Sequence, residues 1–324
     1  MYSMMKQLFC LVCAFAVVLS PCLYGQRAAN PLLPHADPFI TAQPVQGRYL
    51  LLATTGRNIT IWSGATPALA ATHASVVFQA PADLSEVWSP TLWQMDGRWW
   101  IYFTARAAGK EHGIYALVSD TADPLGSYTF RGQVALGRPA IDPSLLVLGP
   151  TRYLMYVTVD RGENAIHMVR LGAPMTPEGA DALISEPEFA WERGEGSTRT
   201  YPVNEGPTAL FHDGRTFIVY SASDTASPRY CLGLLTFAGG DPLVRSHWVK
   251  TAHPVFSAAP ENGIFGPGRG TFARAPDGGD WLLYAAKSTD APTAAGRATR
   301  AQRFTWNVDG TPHFGVPQKD GPIE

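Results

Sequence analysis

Charged residues are scarce in this sequence of 324 residues: 16% are Asp, Glu, Lys or Arg, against roughly 25% in typical soluble domains. The 25 basic and 27 acidic residues nearly balance, and the formal net charge is −2. A protein that binds nucleic acid or an anionic membrane surface through its charge needs a basic patch. The sequence therefore predicts neither of these partners.

Residues 1–26 have the pattern of a signal peptide. Lys6 provides the basic start, Leu8–Leu19 form the apolar run, and Ser20 and Pro21 end it. This run is well short of the ~20 residues that a membrane-spanning helix needs. We therefore predict a cleaved leader, export to the medium or the periplasm, and no transmembrane span.

Cysteine is also rare, and three of the four cysteines, Cys10, Cys13 and Cys22, lie in this leader. The mature chain would keep Cys231 alone, which excludes an intrachain disulfide. Because Cys231 lies within an apolar run, we expect a small buried hydrophobic side chain rather than a nucleophile. The stretch Leu19–Cys22 also resembles a bacterial lipoprotein cleavage site, so a lipid anchor is the alternative to free export.

Glycine (31 residues) and proline (27 residues) are abundant, and helical periodicity is almost absent outside the leader. Instead, five aromatic and β-branched runs recur at intervals of 50 to 64 residues, most of them after a Gly-containing turn. Four-stranded propeller blades repeat at roughly 40 to 50 residues plus loops. The five runs are GRYLLLAT from Gly47, DGRWWIYFTA from Asp96, TRYLMYVTV from Thr151, DGRTFIVYSAS from Asp213 and DGGDWLLYAAK from Asp277.

Each run is preceded by a short segment that mixes polar residues with turn formers. The five segments are HADPFI from His35, VWSPTLW from Val87, AIDPSLL from Ala140, NEGPTALF from Asn204 and GPGRGTF from Gly266. We interpret them as the innermost strands of five blades, which would converge on one channel. The predicted fold is all-β, a single five-bladed β-propeller over residues 27–324. A β-sandwich is the alternative, although its strands are separated by only about 8 to 12 residues.

Three carboxylates occur near the start of these inner segments: Asp37, Asp142 and Glu205. Cleavage of a glycosidic bond needs a protonated acid and a second carboxylate, and a third acid nearby raises the pKa of the first. Asp-Pro pairs also begin ordinary turns, which is how we interpret Asp123 and Asp241. Asp37 and Asp142 instead lead directly into apolar runs, so they are candidate catalytic residues together with Glu205.

These motifs, in this order from His35 to about Pro317, resemble glycoside hydrolase family 43. The family consists of five-bladed propeller enzymes that act on α-L-arabinofuranosides and β-D-xylosides, and the likeness is greatest to its exo-acting arabinofuranosidases. The resemblance implies that Asp37 is the general base, Asp142 the orienting and pKa-modulating aspartate, and Glu205 the general acid. It also implies inversion, for which the two catalytic carboxyl groups stand about 6.5–9.5 Å apart.

The resemblance extends to the substrate site, where Arg300 would reach sugar hydroxyls. Trp88 would offer an aromatic wall, and His35 adjoins the predicted channel mouth. Two positions depart from the family. Arg269 replaces a histidine that helps to hold a calcium or water cluster, so we predict no metal and no other cofactor, the charge of Arg269 taking the place of the ion. Thr91 replaces a carboxylate next to the pocket.

The leading hypothesis is an exported, monomeric glycosidase that removes arabinofuranosyl units from plant polysaccharides or oligosaccharides. The alternatives are a β-xylosidase or another furanosidase of the same family, and a carbohydrate-binding propeller without catalysis. The three carboxylates argue for an enzyme, whereas the departures at Thr91 and Arg269 keep the non-catalytic alternative open.

Overall fold

The computed structural model describes residues 28–194 and 201–323, whose regular elements are β-strands and three short 3₁₀ helices. The 3₁₀ helices are Pro67–Leu69, Arg245–His247 and Pro260–Asn262. Five four-stranded antiparallel sheets account for most of the strands, and a separate two-stranded sheet joins the first strand, β1 (Ala29–Asn30), to the last, β22 (Gly321–Pro322).

The chain forms the five sheets one after another, each in simple sequence order. Blade 1 contains β2 (Phe39–Ile40), β3 (Tyr49–Leu52), β4 (Asn58–Gly64) and β5 (His73–Gln79). Blade 2 contains β6 (Leu84–Met95), β7 (Arg98–Ala107), β8 (His112–Ser119) and β9 (Tyr128–Gln133). Blade 3 contains β10 (Ile141–Leu148), β11 (Thr151–Asp160), β12 (Glu163–Ala173) and β13 (Thr176–Ser185). Blade 4 contains β14 (Asn204–His212), β15 (Arg215–Ala222), β16 (Cys231–Phe237) and β17 (Trp248–Lys250). Blade 5 contains β18 (Phe265–Arg274), β19 (Asp280–Lys287), β20 (Ala298–Trp306) and β21 (Pro312–His313).

The first strand of every blade contacts the first strands of both neighbouring blades. The contacts run from β2 to β6, β10, β14 and β18, and from β18 back to β2. The first strands therefore form a closed ring around a central channel. This arrangement confirms the predicted five-bladed propeller, and the β-sandwich alternative is wrong.

The hydrophobic core is divided into five clusters, one between each pair of neighbouring blades. Both faces of each sheet are therefore covered, which explains why the second strands read as continuous apolar runs rather than as alternating ones. Each run contributes a fully buried side chain to these clusters: Leu52, Tyr102, Tyr156, Tyr220 and Tyr284.

Five residues at matching positions of the inner segments adopt the left-handed backbone conformation. They are Asp37, Ser89, Asp142, Gly206 and Arg269, with φ between 48° and 58°. The last four lie at register shifts of β6, β10, β14 and β18. A bulge of this kind bends the strand and re-aims a side chain. The repeated bulge therefore turns one residue in each of blades 2, 3, 4 and 5 out of its sheet.

Hydroxyl groups fix three of these bulges to the preceding blade. The backbone N–H groups of Ser89 and Asp142 donate to Thr54 Oγ1 and Thr104 Oγ1, both over 2.9 Å. In blade 5, the backbone N–H of Arg269 donates to Ser221 Oγ of β15, in the preceding blade, over 2.8 Å. The bulge geometry is thus set by contacts between blades as well as within them.

The ring is closed by the strand pair β1 and β22 and by the residues next to it. Asn30 exchanges two hydrogen bonds with the backbone of Ala301 in blade 5, and Leu33 forms a bridge with Thr299. Leu33 then packs in the core cluster shared by blades 1 and 5. The amino-terminal part of the described chain is therefore held against the last blade.

The signal peptide and lipoprotein predictions concern residues 1–26, which lie outside the described residues. Among the described residues, no helix has the length and apolar character needed to cross a bilayer. Cys231 is buried, and burial raises the pKa of its thiol. The prediction of a small buried side chain at this position is confirmed.

Candidate active site

A cavity of about 390 Å³ opens at the start of the inner strands. It brings together all three predicted catalytic carboxylates and two of the predicted substrate residues, Trp88 and Arg269. Its described lining is Asp37, Thr54, Trp88, Ser89, Ile141, Asp142, Glu205, Thr225, Tyr230, Arg269, Ala294 and Arg297.

Asp37 immediately precedes β2, and both oxygens of its carboxylate are hydrogen-bonded. Thr54 Oγ1 donates to Oδ2 over 2.7 Å, and Arg297 Nη1 donates to Oδ1 over 2.8 Å. Burial alone would raise the pKa of Asp37, but the charges of Arg297 and Arg269 and the two hydrogen bonds outweigh it. The pKa is therefore held below its usual value, and Asp37 is a carboxylate at neutral pH.

Asp142 lies at the bulge of β10 and is fixed by groups from three other blades. Ser89 Oγ donates to Oδ1 over 2.6 Å, and the backbone N–H of Gly206 donates to Oδ2 over 3.0 Å. Arg269 Nη1 stands 3.6 Å from Oδ1. These contacts orient the carboxylate within the channel.

Glu205 lies in β14 and is 8% exposed, and its hydrogen-bond donors among the described residues are neutral. Tyr230 donates its hydroxyl to Oε1 over 2.7 Å, and Asn164 Nδ2 donates to Oε2 over 2.9 Å. Burial and, to a smaller extent, the negative charge of Asp142 raise the pKa of Glu205 to about 7, against the lowering effects of the two hydrogen bonds and of the Arg297 charge. Below pH 7, therefore, most of the Glu205 side chains carry a proton that can be donated.

The backbone before Glu205 is held by a buried polar cluster around Asn204. Asn204 Nδ2 donates to Glu192 Oε1 over 2.9 Å, and its Oδ1 accepts from Ser185 Oγ and Lys250 Nζ over 2.6 and 3.0 Å. Glu192 and Lys250 form a buried ion pair with an N–O distance of 3.0 Å. Breaking a buried ion pair costs free energy, so this cluster holds the backbone before Glu205 rigidly.

Trp88 forms one wall of the cavity, and its indole is held from behind. The ring of His112 packs against it with 4.6 Å between ring centroids. His112 Nε2 is 2.5 Å from Glu86 Oε2, and Glu86 also pairs with Arg106. Trp88 is therefore a fixed aromatic surface beside the carboxylates, which is the kind of surface that the C–H face of a sugar packs on.

Comparison with known proteins identifies the family. The sequence profile described as "Glycosyl hydrolases family 43" matches residues 28–312. The chain belongs to this family.

Relatives within family 43 include arabinofuranosidases. The chain is 34% identical over 92% of its length to an extracellular exo-α-(1→5)-L-arabinofuranosidase of Streptomyces avermitilis, and 33% identical over 90% to α-L-arabinofuranosidase 43 of Humicola insolens. It spans only 63% of the length of each of these relatives. The crystal structure of an α-L-arabinofuranosidase from Lactobacillus brevis superposes with a TM-score of 0.83 and 31% identity, covering 90% of this chain and 97% of the other.

Arg269 stands where the family 43 resemblance implies a histidine near a calcium or water cluster. Its side chain is 3% exposed, and a Cβ added at Gly206 would lie only 3.0 Å from its Cδ. A guanidinium keeps its positive charge and has no lone pair to offer a cation. Among residues 28–194 and 201–323, no three His, Cys, Asp or Glu side chains are grouped so that they could share a metal ion. The residues present at this place therefore do not fit calcium.

Two predicted substrate residues are not among the described residues that line the cavity. Arg300 lies inside β20 with a fully buried side chain that bonds to Ser288 and Asp320. It cannot reach a sugar, and the arginine that reaches the cavity is Arg297, just before the same strand. His35 packs against Trp62 with 5.5 Å between ring centroids, and burial lowers its pKa.

The remaining sequence expectations are resolved by local contacts. Thr91 is 1% exposed in β6 and is not among the described lining residues. Asp123 and Asp241 accept N–H groups two residues further on in exposed turns, which confirms that they are ordinary turn residues.

Sequence reasoning missed four residues that hold Asp37 and Glu205: Thr54, Asn164, Tyr230 and Arg297. Only Arg297 had a signal in the sequence, because a residue just before a strand that begins at the cavity end must lie at that end. The other three are neutral side chains whose importance depends on contacts between blades.

Proposed function

We propose that this chain is a glycosidase that hydrolyses α-L-arabinofuranosyl bonds with inversion at the anomeric carbon. The observation that carries the proposal is the opposite treatment of two carboxyl groups on one sugar-sized cavity. Arginines lower the pKa of Asp37, whereas burial and Asp142 raise that of Glu205 to about 7. A pair of carboxyl groups with separated pKa values supports general acid and general base roles.

The reaction proposed for this pair is a single displacement. Glu205 donates its proton to the glycosidic oxygen, and the bond between that oxygen and the anomeric carbon breaks. Asp37 accepts a proton from a water molecule, whose oxygen bonds to the anomeric carbon from the opposite face. The products are the alcohol of the leaving sugar and a free sugar of inverted configuration, after which the proton returns from Asp37 to Glu205 through solvent.

The other groups of the cavity have supporting roles in this proposal. Asp142 keeps Glu205 protonated by its negative charge, and it is itself fixed by Ser89, Gly206 and Arg269. Arg269 and Arg297 supply permanent positive charge beside Asp37. The arabinofuranosyl preference is supported by the names of the relatives, and export by the leader pattern together with the extracellular relatives.

Hydrolysis of 4-nitrophenyl α-L-arabinofuranoside and β-D-xylopyranoside by wild type and by Glu205→Gln tests the proposal. We expect turnover of the arabinoside, a loss of about 10²–10⁴-fold in kcat/KM for Glu205→Gln, and no change for Glu178→Gln, an exposed control in blade 3. NMR of the first product should show the inverted anomer. Turnover of the xyloside alone would instead indicate a β-xylosidase, and binding without turnover a carbohydrate-binding propeller.

A further inference from the structure

Lys287, the last residue of β19, is a lysine with almost no exposure to solvent. Its side chain is 1% exposed, and its Nζ donates to three backbone carbonyl oxygens. These belong to Ala226 at 3.1 Å, Ala291 at 2.8 Å and Thr293 at 3.1 Å. An ammonium has three N–H groups to donate, so only the charged lysine can serve all three acceptors at once. Charged side chains of the surrounding loops also act on it: Arg297, Asp224 and Asp290.

The carbonyl of Ala226 belongs to a loop that is itself firmly attached. This loop, residues 223–230, joins β15 to β16 in blade 4. Asp224 Oδ1 accepts the N–H of Ala226 over 2.8 Å, and the carbonyl of Pro228 accepts the N–H of Gly266 in β18 over 2.9 Å. Blade 4 therefore offers the ammonium a fixed point of attachment.

The other two acceptors lie in the loop of residues 288–297, between β19 and β20. Its first nine residues, STDAPTAAG, have small or polar side chains, and all but Ala291 are exposed. A segment that buries so little apolar surface is held mainly by its hydrogen bonds. The two bonds from the ammonium attach the middle of this loop to the buried part of blade 5.

Local hydrogen bonds extend this attachment to Arg297. Thr293 Oγ1 accepts the N–H of Ala295 over 3.1 Å, and Arg297 Nε donates to the carbonyl of Ala294 over 3.2 Å. Arg297 Nη1 in turn donates to Asp37 Oδ1 over 2.8 Å. The position of the guanidinium on the Asp37 carboxylate therefore depends on the loop that the ammonium holds.

We infer that Lys287 is a positioning residue for the proposed reaction: it fixes the loop 288–297 so that Arg297 stays on the Asp37 carboxylate. The inference rests on the proposed function and adds to it a side chain that is not among the described residues lining the cavity. Lys287 acts through Arg297 and touches neither the sugar nor the attacking water.

The pH profile of kcat/KM for 4-nitrophenyl α-L-arabinofuranoside tests this role. In Lys287→Met the loop loses its attachment, Arg297 moves away from Asp37, and the pKa of Asp37 rises. We expect the acidic limb to move to higher pH by about half a unit or more, and further than the basic limb. A general loosening of the site would move the two limbs alike or lower the rate at every pH.

Gln302→Leu is the matched control, because Gln302 is another buried polar side chain of blade 5 that holds a loop. It is 2% exposed in β20, and its Nε2 donates to two carbonyl oxygens within residues 314–316. None of these residues is among the described lining of the cavity. We expect Gln302→Leu to lower Tm and to leave both limbs of the profile in place.

The double variant Lys287→Met/Arg297→Met decides whether Lys287 acts through Arg297. If it does, the acidic limb of the double variant should lie where Arg297→Met alone puts it, because residues that act as one unit have non-additive effects. Additive shifts would mean that Lys287 affects Asp37 by another route, and they would overturn the inference.

Thr293→Val tests the same attachment without disturbing the core, since Thr293 is exposed. It removes the hydroxyl that accepts the N–H of Ala295 and should move the acidic limb in the same direction by a smaller amount. Thr289→Val, at an exposed position of the same loop, should leave the limb in place. This pair decides the inference if Lys287→Met fails to fold.

An acidic limb that does not move in Lys287→Met, or that moves as far in Gln302→Leu, would overturn the inference and leave the proposed function intact. Equal behaviour of Thr293→Val and Thr289→Val would also count against it. Failure of wild type to hydrolyse the arabinoside would overturn the proposed function, and this inference with it.

Discussion

The two walls of the candidate active-site cavity shift the pKa of a carboxyl group in opposite directions. On one wall, Asp37 receives hydrogen bonds from Arg297 and a threonine hydroxyl, and positive charge dominates. On the other wall, the described residues that donate hydrogen bonds to Glu205 are neutral, and the negative charge of Asp142 lies nearby. The protonation state of each carboxyl group is therefore set by residues of other blades or loops rather than by its own residue type.

The difference begins in the backbone. Asp37 itself has the left-handed backbone conformation of its inner segment. In blade 4 that conformation is adopted by Gly206, and Glu205 is the residue before it. Because Gly206 has no side chain, the guanidinium of Arg269 can pass close to it and reach the channel. Because position 206 is a glycine, Arg269 can bring positive charge near Asp37 and Asp142 without pairing with Glu205.

The largest expected effect is the removal of the ionised carboxylate. We expect Asp37→Ala to lower kcat/KM about 10²–10⁴-fold, because no group remains to accept a proton from the attacking water. Sodium azide should restore part of the rate, since this anion needs no base, and the product should be a glycosyl azide of inverted configuration. Rescue that gives the retained configuration would contradict the role assigned to Asp37.

The next effect tests why Asp37 stays ionised. In Arg297→Met the carboxylate loses both a hydrogen bond and a positive charge, so its pKa rises. Activity requires the deprotonated form, so the acidic limb of the kcat/KM profile should move to higher pH. Arg170→Met, at an exposed arginine of β12, is the control and should leave this limb in place. An unchanged profile for Arg297→Met would contradict this explanation and would show that Arg269 and the Thr54 hydrogen bond are enough to keep the pKa of Asp37 low.

The pKa of Glu205 can be moved in both directions. Activity should fall as the pH rises through about 7, because the acid loses its proton there. Asp142→Asn removes a negative charge and should move this basic limb to lower pH. Tyr230→Phe removes a hydrogen bond to the ionised form and should move it to higher pH. Shifts of the same sign in the two variants would contradict the electrostatic explanation.

The smallest expected effect concerns metal. Because Arg269 occupies the channel with a fixed positive charge, dialysis against EDTA and later addition of calcium should leave both kcat/KM and Tm unchanged. Elemental analysis that finds stoichiometric calcium in the purified protein would overturn this expectation.

Much of the fold could be predicted from the sequence because its signals are local and repeated five times. Apolar runs after Gly-containing turns marked the second strands, and the segments before them marked the inner strands. The Asp-Pro pairs at Asp37 and Asp142 could be separated from those at Asp123 and Asp241 by the apolar residues that follow them.

The partners of the carboxylates could not be predicted in the same way. Thr54, Asn164 and Tyr230 are ordinary polar residues whose neighbours are distant in the sequence and become close only when the blades pack. A match to a short motif indicates Arg300 and gives no sign of Arg297. The structure turns Arg300 into the interior of blade 5, while Arg297, outside the strand, remains at the cavity.

The ring of blades is closed by the pairing of Ala29–Asn30 with Gly321–Pro322, and the proposed activity depends on this closure. Asp37 lies just before the first strand of blade 1 and Arg297 just before β20 of blade 5, so their hydrogen bond spans the junction between the first and last blades. Five sheets could each be intact in an open arc, yet the base would then be separated from the cation that keeps it charged. Under the proposed function, activity therefore requires the closed ring, and it should be lost when blades 1 and 5 separate even if each sheet stays folded.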